Sequence, residues 1–210
     1  GSRGKGAYVE LNKVKIDSNL GAFEGAVLTV NDSNVNADTA IYAEGGTINL
    51  ISTDGNAKYN VNGIYGVEAR DGGVINISGG GTLLTTTNIS AEGNGSKFVT
   101  DGSVEAKKIE AISNASVILN GGGKITSIKE AHVDPDDDRV GYADVSAESG
   151  GAGSKIVANN ADFKGEVHAS TGGTIILNGG SVTSGTFYDK DGNSIEYYPT
   201  EIGSRGKGAY

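Results

Sequence analysis

The chain has 210 residues and a formal net charge of −9, and it combines 35 Gly with only 2 Pro and no Cys. Glycine at more than double its ordinary level of about 7 % sets the chain apart from an average globular composition, yet collagen is excluded, because glycine does not recur at every third place and proline is nearly absent. The lack of Cys removes disulfides, thiolate metal sites and cysteine nucleophiles, and the acidic balance argues against a nucleic-acid partner, whose phosphates call for clustered Lys and Arg.

Apolar residues and Gly together still reach the globular range, so a packed core is expected. No run of 18 apolar residues is present, and no membrane insertion by this segment is expected. His132 and His168 are the only histidines, too few for a multi-histidine metal site. The chain does not start with Met and shows no secretory leader, which reads as a mature or excised piece.

In chain order, one short unit keeps returning. Its anchor is an Ala placed just before a small-residue step, at Ala22, Ala43, Ala69, Ala91, Ala111, Ala147 and Ala169, with spacings of 21, 26, 22, 20, 36 and 22 residues. After most anchors comes an apolar alternating phrase: Leu28-Thr29-Val30, Ile48-Asn49-Leu50, Ile75-Asn76-Ile77, Val117-Ile118-Leu119 and Ile175-Ile176-Leu177. Period-two alternation of β-branched residues marks a strand with one buried face. Asn31, Ser52, Ser78, Asn120 and Asn178 close the phrases, and a second apolar stretch follows at Val35, Leu83, Val104, Ile125 and Val182. Each unit reads strand, turn, strand, turn. Helix formers follow one another briefly only at Val104 to Ile112 and Thr126 to Ala131.

Units of 20 to 26 residues without crossover helices leave few architectures. A propeller blade needs about 40 residues, and the Leu and Asn framework of leucine-rich repeats is missing. The fold expected is all-β: a single-stranded parallel β-helix, or β-solenoid, of about seven to eight coils, with an inserted acidic loop and a C-terminal hairpin. Residues 1–186 form the solenoid, and strands stacked at about 4.8 Å give a rod of roughly 35 to 40 Å. Ala at the anchor suits a tight corner inside the coil.

The phrases Ala40-Ile-Tyr-Ala-Glu-Gly-Gly-Thr-Ile-Asn-Leu50 and Gly172-Gly-Thr-Ile-Ile-Leu-Asn-Gly-Gly-Ser-Val-Thr183 resemble the passenger repeats of bacterial autotransporter adhesins, the pertactin-like β-helices. The resemblance is one of pattern and covers about residues 20 to 185. It implies a noncatalytic segment at the cell surface or secreted, associated with the bacterial outer membrane, that acts as a rigid stalk presenting loops. The partners it implies are a host-cell receptor or glycan, or a second cell through self-association.

Two segments break the pattern. The interval from Ala111 to Ala147 is about 14 residues too long, and its surplus, about 130–142, reads as a loop thrown out from one coil. Asp134, Asp136, Asp137 and Asp138 offer carboxylates to Ca²⁺, which takes six to eight oxygens, although the spacing is not that of an EF-hand; a solvated acidic loop with no cofactor is the alternative. Tyr142, Arg139 and His132 are the residues this loop offers for contact. Residues 187–202 read as a hairpin or cap, because aromatic and β-branched residues flank Asp191-Gly192, a type I′ turn pair. Such a cap would cover exposed strand edges at the end of the solenoid.

The ends carry the plainest regularity. Gly-Ser-Arg-Gly-Lys-Gly-Ala-Tyr stands at 1–8 and again, without change, at 203–210. Either the protein is a tandem array with a period of 202 residues, or the second copy is a deliberate or vector-derived duplication.

Parallel β-helices also include polysaccharide lyases and hydrolases, so a carbohydrate-active enzyme is the rival reading, with a pure spacer of a tandem-repeat fibre as the third. Hydrolysis of a glycoside needs two carboxylates across the sugar. Glu44, Glu68 and Glu92 flank their anchors and would form a column of like charge relieved by Arg70.

Overall fold

The computed structural model describes residues 1–133, 140–189, 191–195, 202–205 and 207. Every regular element among them is a strand. The strands wind into a parallel β-solenoid of about eight turns, each turn contributing to three faces.

Face one stacks Ser2–Arg3, Leu20–Phe23, Ala40–Glu44, Gly66–Arg70, Asn88–Glu92, Lys108–Ile112, Val140–Gly150, Glu166–Ser170 and Ile202–Arg205, all parallel to their neighbours in this stack. Face two stacks Tyr8–Asn12, Val27–Asn31, Thr47–Ile51, Val74–Ser78, Lys97–Thr100 and Ser116–Leu119. Face three stacks Lys15–Ile16, Asn34–Ala37, Lys58–Val61, Thr82–Thr85, Val104–Ala106 and Gly123–Ile125. The long strands Lys155–Lys164 and Thr174–Thr183 run through both of the latter faces and join them.

The interior is built of columns. Ala22, Ala43, Ala69, Ala91 and Ala111 lie in register one above another and are fully buried. The neighbouring column holds Leu20, Ile41, Val67, Ile89 and Ile109, and face two adds Leu28, Ile48, Ile75, Phe98, Val117 and Ile156. Each such Leu, Ile or Val stabilises the coil by roughly 1.5–3 kcal/mol through removal from water. Small residues close the turn between faces one and two. A Cβ placed on Gly73 would overlap the carbonyl oxygen of Ala43 in the coil below, so the chain can turn there only because glycine lets two backbones approach.

One anchor changes. Ala147 is not an anchor: it pairs with Ile109 in the column of larger residues, and Ser149 takes the place over Ala111. The strand carries a register shift between Val145 and Ala147, which absorbs the long insertion before the repeat resumes. In the unit that starts at Ala91 the alternation slips by one residue, so Phe98 points inward, Lys97 is exposed, and Phe98 stacks on Ile75. In keeping with the all-β fold expected, both runs of helix formers are strands, Val104–Ala106 with Lys108–Ile112 and Ile128–Val133.

The insertion leaves the solenoid as an antiparallel ribbon. Ile128–Val133 pairs with the first part of Val140–Gly150, from Ile128 opposite Val145 to Val133 opposite Val140. Phe187–Tyr188 adds antiparallel to Ala143 and Tyr142 and folds back onto Ser194–Ile195. The C-terminal hairpin therefore extends the ribbon at face one instead of lying across the end of the rod.

Polar side chains on the outside are also stacked. Asn76 donates to Asn49 at 3.0 Å, Asn60 to Asn36 at 2.9 Å, and Asn178 to Asn159 at 2.9 Å, which in turn donates to Asn120 at 3.0 Å. Such amide ladders follow from stacking Asn at the repeat distance of parallel strands.

Candidate functional site

The outward surface of face one, with the ribbon over it, gathers most of the paired charges and rings. Period-two alternation turns the residues on either side of each anchor outward, so the residues before the anchors form the column Tyr42, Glu68, Ser90, Glu110, Glu148 and His168. Those after the anchors form Phe23, Glu44, Arg70 and Glu92, with Phe23 bridged to Gly45. Glu44, Glu68 and Glu92 are thus not one column: Glu44 and Glu92 follow their anchors and sandwich Arg70, whereas Glu68 precedes its own.

Arg70 ties the two columns. Its Nε lies against Glu68, and its Nη2 is 3.2 Å from Glu92. Burial pushes the Glu68 carboxyl above its usual pKa, and the adjacent guanidinium only partly offsets this. Nearer the N-terminal end, the Arg3 guanidinium stands 5.0 Å from the Phe23 ring centre, the Phe23 and Tyr42 rings are 5.7 Å apart, and the Tyr42 hydroxyl donates to Glu44 at 3.2 Å. A cation, two rings and a carboxylate in line form a mixed surface suited to a polar ligand with an apolar side.

Where the ribbon departs, Lys108 is the pivot. Its side chain is only 3 % exposed, and Nζ lies 3.3 Å from Glu110, 2.8 Å from Glu130 and 2.8 Å from Glu148. Glu110 and Glu148 belong to the solenoid and Glu130 to the ribbon, so one ammonium fastens the ribbon to the rod. Burial alone would lower the lysine pKa, but the surrounding carboxylates more than reverse this and raise it. Burial pushes Glu110 up. It would do the same to Glu148, but hydrogen bonding to Lys108 and the charges of Lys108 and His168 bring Glu148 below its ordinary value. Carboxyls with opposed shifts are the arrangement found in acid–base sites, yet here Lys108 bonds both.

The hairpin is tied on by two further contacts. Lys129 Nζ lies 3.9 Å from the Tyr188 ring centre, and the Asp144 carboxylate accepts from the Thr186 amide at 2.8 Å. Within the turn, Asp189 accepts from the amides of Asp191 and Asn193 at 2.9 and 2.8 Å, and hydrogen bonds from Asn193 hold its carboxyl below the usual range.

Asp134, Asp136, Asp137, Asp138 and Arg139 lie outside the described residues. His132 and Tyr142 stand in the ribbon, His132 opposite Gly141 and Tyr142 between Ala131 and Tyr188; their side chains lie outside the described residues. Among the described residues no cluster of three or more His, Asp or Glu is arranged to hold a metal ion. The Lys108 cluster escaped the sequence reading, since Glu130 and Glu148 are 22 and 40 residues from it and only the register brings them together. No protein-family model, curated protein or solved structure matches this chain.

Proposed function

We propose that the chain is a noncatalytic segment of a bacterial surface or secreted adhesin, of the autotransporter-passenger type, in which the solenoid is a rigid stalk and the ribbon is the part presented. The observation that carries this reading is the ribbon itself: a four-stranded antiparallel extension, Ile128–Val133, the first part of Val140–Gly150, Phe187–Tyr188 and Ser194–Ile195, fixed to an otherwise regular rod by Lys108. Loops on a stiff scaffold are where binding residues concentrate. Support for a noncatalytic role comes from the carboxylates of face one, of which Glu68 and Glu92 are bound by Arg70 and Glu110, Glu130 and Glu148 by Lys108, leaving none of these five free as a lone acid or base. The partner is a host-cell receptor or glycan, or the same segment on another cell, and the place is the cell surface or its exterior.

The test is display of the intact chain on a nonadherent bacterium, scored for attachment to epithelial monolayers, attachment to glycan-coated surfaces and clumping of the displaying cells. The expected result is attachment or clumping that disappears when residues 134–139 are exchanged for Asn-Gly, a two-residue turn that preserves the pairing of Val133 with Val140. Intact chain without effect in all three formats would overturn the adhesin reading, and adhesion unchanged by the exchange would overturn the ribbon as its contact.

A further inference from the structure

Ser2 pairs with Ala22, and Ser204 pairs with Ala169, on the same face and in the same parallel sense. Following the register from one to the other passes Ala22, Ala43, Ala69, Ala91, Ala111, Ser149 and Ala169 without leaving the column. The second Gly-Ser-Arg thus enters the lattice at the place the first one occupies, 202 residues later. A tag appended without regard to the fold has no reason to arrive on the correct face, in the correct direction and at the anchor position.

The two end surfaces are complementary in the same register. Tyr8–Asn12 pairs with Val27–Asn31, and Thr174–Thr183 is the last described strand of face two. Continuing the column of Val117, Ile156 and Ile175 by one rung brings Val9 of a following copy onto Ile175, and Leu11 onto Leu177. Val9, Leu11, Ile175 and Leu177 are only partly buried, whereas Leu28 and Ile156, one rung inward from Val9 and Ile175, are fully buried. The outer polar ladder continues as well. Asn31 donates to Asn12 at 2.7 Å and Asn178 to Asn159 at 2.9 Å, each to the rung before it. Asn12 of a following copy stands over Asn178 and can donate to it in the same sense.

We infer that the 202-residue unit repeats in tandem as one unbroken solenoid, residues 203–210 being residues 1–8 of the next copy, whose residues 9–12 then cover the terminal edge at Thr174–Thr183. Each copy then advances the rod by eight rungs, about 38 Å at about 4.8 Å per rung, and ribbons recur along it at that interval. This inference concerns assembly and does not depend on adhesion.

The test is a two-copy chain, residues 1–202 followed directly by 1–210, studied by small-angle scattering and thermal unfolding beside the single chain. The expected result is a straight rod about 38 Å longer than the single chain that unfolds in one transition. Leu177→Asp placed in the first copy, where it faces the junction, lowers the midpoint more than the same change in the second copy, where it faces the free end. Two rods at variable angle, or equal effects of Leu177→Asp at the two places, would overturn the inference.

Discussion

Lys108 and Glu130 meet at 2.8 Å across the boundary between solenoid and ribbon, with the lysine side chain almost wholly withdrawn from water. Glu110 and Glu148 complete the set. Three carboxylates around one ammonium make Lys108 the charge on which the local balance depends: without it, three acids face each other at low solvation.

Lys108→Met is therefore expected to destabilise the protein by about 2 kcal/mol, less than the 3–5 kcal/mol typical of breaking a fully buried pair because the carboxylates keep some contact with solvent. Urea unfolding at neutral pH measures it. Glu130→Gln costs less, and it should raise amide exchange selectively in Ile128–Val133. A ribbon whose exchange does not respond contradicts the assignment of Lys108 as its fastening.

Alkaline stability rests on two groups. Burial, helped by the charges of Asp32 and Asp101, pushes the Tyr59 phenol up to about 12 from 10.0, and the Lys108 pKa is raised from 10.5. Each holds its proton in the fold after the unfolded chain has lost it, so the stability each confers is complete below its unfolded pKa and is lost as pH climbs through the folded one. Stability should fall from about pH 10 toward 12. Tyr59→Phe should flatten that fall by about 2 kcal/mol. At pH 7 the same change should be neutral or stabilising by up to about 1 kcal/mol, because the buried hydroxyl has no hydrogen-bond partner among the described residues. A clear loss at pH 7 would show that the hydroxyl is bonded.

Gly73→Ala probes the corner. The added methyl would overlap backbone of the coil below, and the expected cost is about 3 kcal/mol or more, at the upper end for overpacking. Gly95→Ala, where the new Cβ meets nothing within 4 Å but the backbone φ is +81°, should cost about 1 kcal/mol from conformation alone. Thermal midpoints of the two variants give the comparison, and equal losses would contradict the stacking of coils at Gly73.

Much of this architecture is legible in the residues themselves. Alternation around Leu28, Ile75 and Val117 marks face two, and the recurrence of Ala22, Ala43, Ala69, Ala91 and Ala111 marks the inner corner of face one. The second apolar stretch, from Val35 to Val182, falls on face three throughout. Ala147 misleads because Ala147 and Ser149 are both small and share the same parity, so periodicity alone cannot choose between registers two residues apart. The ribbon strands are hidden for another reason: Glu130 and the aspartates beyond it make the insertion look like a solvated loop, and its partner, Phe187–Tyr188, lies far along the chain. Lys108 reads as an ordinary surface lysine until Glu130 and Glu148 are brought to it.

The stacked register is most directly tested by distances between spin labels, which the Cys-free sequence permits without background. Glu10, Asn76, Ile118 and Ile176 lie in one outward column, with Asn76, Ile118 and Ile176 three, five and seven rungs from Glu10. Cysteines at Glu10 and at each of the others in turn, carrying nitroxides, should give separations rising in proportion to rung number, near 14, 24 and 34 Å at about 4.8 Å per rung. Separations that fail to increase along the series, or a Glu10 to Ile176 distance shorter than that from Glu10 to Ile118, would contradict a single rod of parallel coils.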